Sequence, residues 1–130
     1  MKINIICGLI GSGKTTWCKS QNIPFTDLDY LPKYATKKEQ ISLTKKVLRE
    51  NSEVNHITTF PTEEEMKAFE NYNTSFYWID TDLERCKLNI LVRNRKRDMD
   101  NLKYVYDKNE ELLQKAINSE IIFKAITVIK

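Results

Sequence analysis

The sequence predicts an α/β protein with a three-layer, Rossmann-like architecture: a mainly parallel, five-stranded sheet with helices on both faces. Three observations lead there. Short apolar or β-branched runs alternate with helical patterns along all 130 residues. Three Thr-x-x-Glu pairs mark helix starts, because threonine caps the third amide and glutamate reaches back. All three glycines, Gly8, Gly11 and Gly13, fall in one loop between the first strand and the first helix.

Residues 3–7 are continuously apolar apart from Asn4 and read as a buried strand. A helix is expected over residues 14–20, closed by Asn22 and Pro24. Residues 25–28 form a second short strand. Thr36 and Glu39 open a helix whose apolar face carries Ile41, Thr44, Val47 and Leu48. Residues 54–60 are β-branched and give the third strand. Thr62 and Glu65 open a helix with Met66, Phe69 and Tyr72 on one face. The aromatic run 75–79 is the fourth strand. Thr81 and Glu84 open a helix expected to continue to about Arg97. A last helix carries Leu102, Val105, Tyr106, Leu113, Ala116 and Ile117, and residues 125–129 complete the sheet. No linker, repeat or low-complexity segment divides the chain, so residues 1–130 are expected to form one domain.

Hydrophobic residues make up 41% and charged residues 30%, a globular composition rather than a disordered one. No apolar run reaches the length of a membrane span. A net charge of +3 from 21 basic and 18 acidic residues does not demand a nucleic-acid partner, though it permits a basic patch. Cys7, Cys18 and Cys86 are widely spaced and His56 is the sole histidine, a pattern that disfavours a zinc site. Cysteines that read as buried or helix-face thiols of a reducing compartment, and the absence of a signal-peptide pattern in the first ten residues, give the expectation of a cytoplasmic protein.

Gly8-Leu9-Ile10-Gly11-Ser12-Gly13-Lys14-Thr15 fits G-x-x-x-x-G-K-[ST]. Its context, strand before and helix after, is the one the mechanism requires. Glycines let successive N–H groups converge on one concavity, and the start of the helix at Gly13, Lys14, Thr15 and Thr16 adds its positive dipole end. Ser12 lies within the same cradle. Lys14 would reach the β- and γ-phosphates of ATP, and the Thr15 hydroxyl would bind Mg²⁺. The fold expectation sharpens to a P-loop NTPase.

A basic cluster follows. At 100° per residue, Leu83, Cys86 and Ile90 form one stripe, and Arg93 and Arg97 fall on its edge, while Arg95 and Lys96 point elsewhere. Two guanidinium groups on an inward face need an anion, and a transferring phosphoryl group is one. Asp27 and Asp29, at the end of the second strand, fall on the side where open α/β sheets bind ligands. The third strand ends His56-Ile57-Thr58-Thr59-Phe60-Pro61, without the Asp-Glu pair usual in P-loop ATPases.

The phosphate loop, together with Leu91-Val92-Arg93-Asn94-Arg95-Lys96-Arg97 and the following Tyr104 and Tyr106, resembles phage-type polynucleotide 5′-hydroxyl kinases. In that family an R-N-x-K-R segment closes over ATP. The resemblance implies a helical lid at about residues 82–101. It implies Asp29 as general base, with Asp27 as the other candidate or as an outer Mg²⁺ ligand, and a nucleic-acid 5′ end as acceptor. This chain departs from the family at the acceptor. Pro32, followed by Lys33, stands where an arginine is usual, and Thr58 or Thr59 replaces an acidic residue. A nucleoside, nucleotide or sugar-nucleotide acceptor is the alternative. A nucleotide-binding regulatory module without efficient catalysis is the reading from another class.

The remaining residues carry plainer expectations. His56, Trp17 and Trp78 are structural, and Asp80 caps the lid helix. Lys37, Lys38, Lys45 and Lys46 form a solvated helix face. Tyr30 and Tyr34 flank the acceptor, where either could stack on a base.

Overall fold

A computed structural model describes residues 1–128. Five strands, β1 (Lys2–Cys7), β2 (Phe25–Thr26), β3 (Glu53–Ile57), β4 (Thr74–Ile79) and β5 (Phe123–Ile126), form one sheet in the order β2-β3-β1-β4-β5. Every pairing is parallel. β1 is central: Ile3 lies between Val54 and Thr74, and Ile5 between His56 and Phe76. The chain leaves β1 toward β2 and β3 and later crosses to β4. The carboxyl end of β1 is therefore the switch point, where open α/β sheets have their crevice.

The helices are α1 (Lys14–Ser20), α2 (Lys37–Asn51), α3 (Glu63–Phe69), α4 (Leu83–Arg93), α5 (Lys96–Met99) and α6 (Leu102–Asn118). They complete three layers. Ile3, Ile5 and Cys7 pack with Ile41 and Leu48 of α2 and Phe69 of α3 on one face of the sheet. Ile6, Ile57 and Ile79 pack with Trp17 and Cys18 of α1 on the other. Each fully buried isoleucine of β1 contributes roughly 1.5–3 kcal/mol of burial energy. A third cluster, Leu9, Cys86 and Leu112 with Phe60 and Trp78, clamps α4 and α6 onto the loop after β1. Among the described residues no helix is long and apolar enough to cross a membrane.

Thr36 and Thr62 form complete capping boxes with Glu39 and Glu65, as the sequence predicts. The third box does not form. Asp82, not Thr81 or Asp80, caps α4, its side chain accepting from the Arg85 amide. Thr81 is drawn away because its hydroxyl donates to the Ser12 carbonyl at 2.8 Å.

β2 and β3 are shorter than expected. Asp27 accepts a hydrogen bond from the Asp29 amide at 3.0 Å and turns the chain into a 3₁₀ turn at Leu28–Tyr30. β3 ends at Ile57, although the Thr58 amide still donates to the Ile6 carbonyl at 3.0 Å, and the Thr58 hydroxyl reaches Glu65 at 3.1 Å. β5 starts two residues early, and Ile129, the far end of the expected strand, lies outside the described residues.

The largest correction concerns the lid. The helix from Leu83 does not continue to Arg97 but ends at Arg93, where Asn94 takes a left-handed conformation (φ 51°). Asparagine tolerates that conformation better than most residues. Arg93 and Arg97 are thus not one helical turn apart on a single stripe; a break separates them. After the break, Asp98, 3% exposed, is inserted against Arg93.

Candidate functional site

The loop after β1 is shaped by its glycines and fixed by its carbonyls. Gly11 has φ +83°, and a Cβ there would stand 2.9 Å from the Cys86 carbonyl and from Ile90 Cγ1. Gly13 has φ +98°, caps α1, and faces open space. Every carbonyl from Gly8 to Gly13 accepts a hydrogen bond. Lys14 Nζ donates to Gly8 at 2.9 Å and to Leu9 at 2.7 Å. Asn109 Nδ2 of α6 donates to Ile10 at 2.9 Å, and Asn89 Nδ2 of α4 to Gly11 at 2.9 Å. Thr81 holds Ser12, and the Trp17 amide donates to Gly13 at 2.9 Å.

In a trans peptide the carbonyl and the following N–H point oppositely. Tying the carbonyls back therefore turns the Gly11 and Gly13 amides toward the cleft. The Lys14, Thr15 and Thr16 amides precede the first intrahelical bond and have no helical acceptor. The result is a cup of N–H groups at a helix start, suited to a polyphosphate. The Ser12 hydroxyl is buried and has no hydrogen-bond partner among the described residues. Burial pushes the Lys14 ammonium down to about 8.

Above the loop lies a cleft of about 1000 Å³. Its walls include Gly11 through Thr16, Asp27, Asp29, Tyr30, Lys37, Thr58, Thr59, Arg93, Arg95 and Arg97. Of the predicted site residues only Gly8 is not in the wall; it lies buried behind the loop, its carbonyl held by Lys14. Asp27, 7% exposed, accepts from the Thr15 hydroxyl at 2.6 Å. That pair of hard oxygens fits a Mg²⁺ ion that keeps waters and phosphate oxygens as its other ligands.

Two arginines of the segment after α4 reach Asp29 across the cleft. Arg97 Nη1 donates to Asp29 Oδ1 at 3.3 Å, and that bond holds the Arg97 guanidinium still more firmly protonated. Arg95, expected to point elsewhere, lies 3.7 Å from the other Asp29 oxygen, because the break at Asn94 resets the direction of the segment. Arg93 pairs with buried Asp98 at 3.0 Å. Tyr30 lines the cleft, whereas Pro32, Lys33 and Tyr34 do not. Lys33 lies over the Tyr34 ring instead.

Lys37 is not a solvated helix lysine. Its ammonium donates to Gln40 at 3.0 Å and to Thr58 at 3.4 Å and lies 3.3 Å from Glu65. Glu65 is fully buried and hydrogen-bonded to His56, whose other ring nitrogen meets the Thr44 hydroxyl at 2.7 Å. Burial pushes Glu65 up, but the His56 hydrogen bond, the Lys37 charge and the Thr62 amide outweigh it and hold the carboxyl at about 2. Burial pushes His56 down, with Glu65 partly opposing. His56 is structural, as expected.

Sequence reasoning did not find Asn89, Asn109, Thr81, Lys37 or Asp98. Asn109 had a signal: it interrupts the apolar stripe between Val105 and Leu112, where a leucine would suit packing.

No protein-family model matches the chain, and no curated protein is similar to it in sequence. Solved structures are similar in fold. A gluconokinase from Sinorhizobium meliloti 1021 superposes with a TM-score of 0.62 at 13% identity, covering 99% of this chain and 83% of that one. Deoxyadenosine kinase from M. mycoides with bound dATP gives 0.57 at 14% identity, with 97% and 88% covered. Shikimate kinase from Bacteroides thetaiotaomicron gives 0.51 at 18% identity, with 90% and 79% covered. The chain shares with these structures a three-layer α/β fold built on a five-stranded, all-parallel sheet.

Proposed function

We propose that this chain is an ATP- and Mg²⁺-dependent phosphotransferase whose acceptor is a hydroxyl of a small molecule of the nucleoside or sugar class. The observation that carries this reading is the loop. Six successive carbonyls are tied back, leaving an amide cup beneath three arginines and beside Asp29.

In this reading the Gly11, Gly13, Lys14, Thr15 and Thr16 amides hold the phosphates. Lys14 leaves the Gly8 and Leu9 carbonyls to follow the transferring group. Thr15 and Asp27 would hold Mg²⁺, which supplies charge neutralisation on the phosphate oxygens. Asp29 accepts the proton of the attacking hydroxyl. The acceptor oxygen bonds to the γ-phosphorus as the bond to the β–γ bridging oxygen breaks, and ADP departs with that electron pair. Arg93 and Arg97 stabilise the charge that develops, and closure of the segment after the break at Asn94, with α4 staying packed on the loop, excludes competing water.

The small-molecule acceptor is favoured over a nucleic-acid 5′ end. The structural neighbours that carry names are kinases of small molecules and nucleosides. The position where the resembled kinases bind an acceptor phosphate is Pro32, outside the cleft wall. The polynucleotide acceptor implied by the sequence resemblance has no support in these comparisons.

The test is γ-labelled ATP offered to a nucleoside panel, a sugar and sugar-acid panel, nucleoside monophosphates and a 5′-hydroxyl oligonucleotide. Label on a nucleoside or sugar is expected. Label on the oligonucleotide alone would reinstate the polynucleotide reading. Tight ATP binding with no labelled acceptor would favour a regulatory module.

A further inference from the structure

The phosphate loop is held in its binding form by side chains from the far half of the chain. Asn109, 2% exposed in the middle of α6, grips the Ile10 peptide on both sides. Its Oδ1 accepts from the Ile10 amide at 2.7 Å, and its Nδ2 donates to the Ile10 carbonyl at 2.9 Å. The side-chain amide thus does for Ile10 what a neighbouring strand would do, across 99 residues of sequence. Asn89 repeats half of this at the Gly11 carbonyl from α4.

Leu112 and Cys86 pack on the same side of the loop, at Leu9, so apolar contact alone would hold α6 and α4 there. The buried asparagine therefore adds something packing does not. A buried polar group left without partners is destabilising, and an apolar residue at position 109 would avoid that risk. What the asparagine adds is a fixed orientation of the Ile10–Gly11 peptide plane. With the Ile10 carbonyl held against α6, the Gly11 N–H is directed into the cup.

We propose that Asn109 is a positioning residue for polyphosphate binding, and that Asn89 assists it. Without Asn109 the Ile10–Gly11 peptide is free to rotate, and the cup loses one of its converging amides. The proposal rests on the loop being the phosphate site, and its test separates the two ideas.

The probe is magnesium tripolyphosphate, titrated calorimetrically into wild-type protein, Asn109→Leu, Asn89→Ala and Leu48→Ala. Leucine at 109 keeps the branched outline of asparagine, at a larger volume, and removes both hydrogen bonds. Leu48 is buried under α2, away from the loop, and its truncation controls for lost stability. Asn109→Leu is expected to weaken tripolyphosphate at least tenfold and Asn89→Ala severalfold, with Leu48→Ala within twofold of wild type. In turnover, Asn109→Leu should raise the KM for ATP and leave the KM for the acceptor unchanged. If Asn109→Leu does not fold, Asn89→Ala decides, since Asn89 is only half-buried. Wild-type affinity in the asparagine variants, or equal loss in Leu48→Ala, would overturn the positioning role alone. Failure of the wild-type protein to bind tripolyphosphate would overturn it together with the functional reading.

Discussion

Arg97 Nη1 lies 3.3 Å from Asp29 Oδ1, joining two residues 68 positions apart across the mouth of the cleft. Both side chains are largely exposed, so the pair contributes little to stability. Its interest is functional. The carboxylate proposed to take the acceptor proton is paired with the guanidinium proposed to stabilise the transferring phosphoryl group. Phosphate competing for Arg97 would free Asp29.

Replacing Asp29 with asparagine should therefore separate binding from chemistry. Transfer is expected to fall by about 10² or more, the usual contribution of a positioned base. ATP affinity is expected to stay at the wild-type value or rise, because Arg95 and Arg97 lose their competing anion. Equilibrium binding beside single-turnover rates checks this; parallel loss of both would show that Asp29 belongs to the ATP site.

Lys14 gives a pH dependence. Burial holds its ammonium at about 8, and bound phosphate would raise it. The charged form binds, so ATP affinity should weaken as pH rises above about 8. At pH 8 binding should take up about half a proton per site. Calorimetry in two buffers of different ionisation enthalpy measures that uptake. A binding enthalpy independent of buffer would contradict it.

Asp82 takes the capping role the sequence suggests for Thr81, and two variants show it. Asp82→Ala should cost about 1 kcal/mol in urea unfolding, the usual value of a lost N-cap, with ATP affinity unchanged. Thr81→Val should instead weaken ATP, because it releases the Ser12 carbonyl. The reverse pattern would restore Thr81 as the cap.

The buried Lys37–Glu65–His56 group makes stability fall with acid in two stages. His56 is held below its ordinary value, so below about 6.5 the unfolded chain takes a proton that the folded chain does not. Glu65, held at about 2, repeats this as pH falls through about 4.5 toward 2. Stability should thus rise with pH from about 2 to about 6.5. His56→Gln should flatten the segment just below about pH 6.5, as followed by urea midpoints across pH. An unchanged slope there would remove His56 as its source.

The alternation of elements, the loop and two of three capping boxes were legible because each is a local pattern. Glu39 and Glu65 sit three residues after their threonines, and helix periodicity needs only a short window. The lid was misread for the same reason. Projecting 100° per residue through Asn94 assumes an unbroken helix, whereas Asn94 takes a left-handed conformation and Arg93 pairs with Asp98 five residues on, a local turn that helix periodicity does not register. Lys37 looked solvated because Glu65 and Thr58 come from α3 and from the end of β3. The grip of Asn109 on Ile10 is equally invisible locally, although a polar residue within an apolar stripe marks the place.

The central claim is that the amides of the loop bind polyphosphate under the lid arginines. Amide and arginine Nε–H resonances followed by NMR during titration with magnesium ATP test it most directly. Saturable shifts at Gly11, Gly13, Lys14, Thr15 and Thr16, together with Arg93 and Arg97, are expected, and Lys14→Ala should weaken them. Shifts confined to other parts of the molecule, or none at millimolar nucleotide, would contradict the claim.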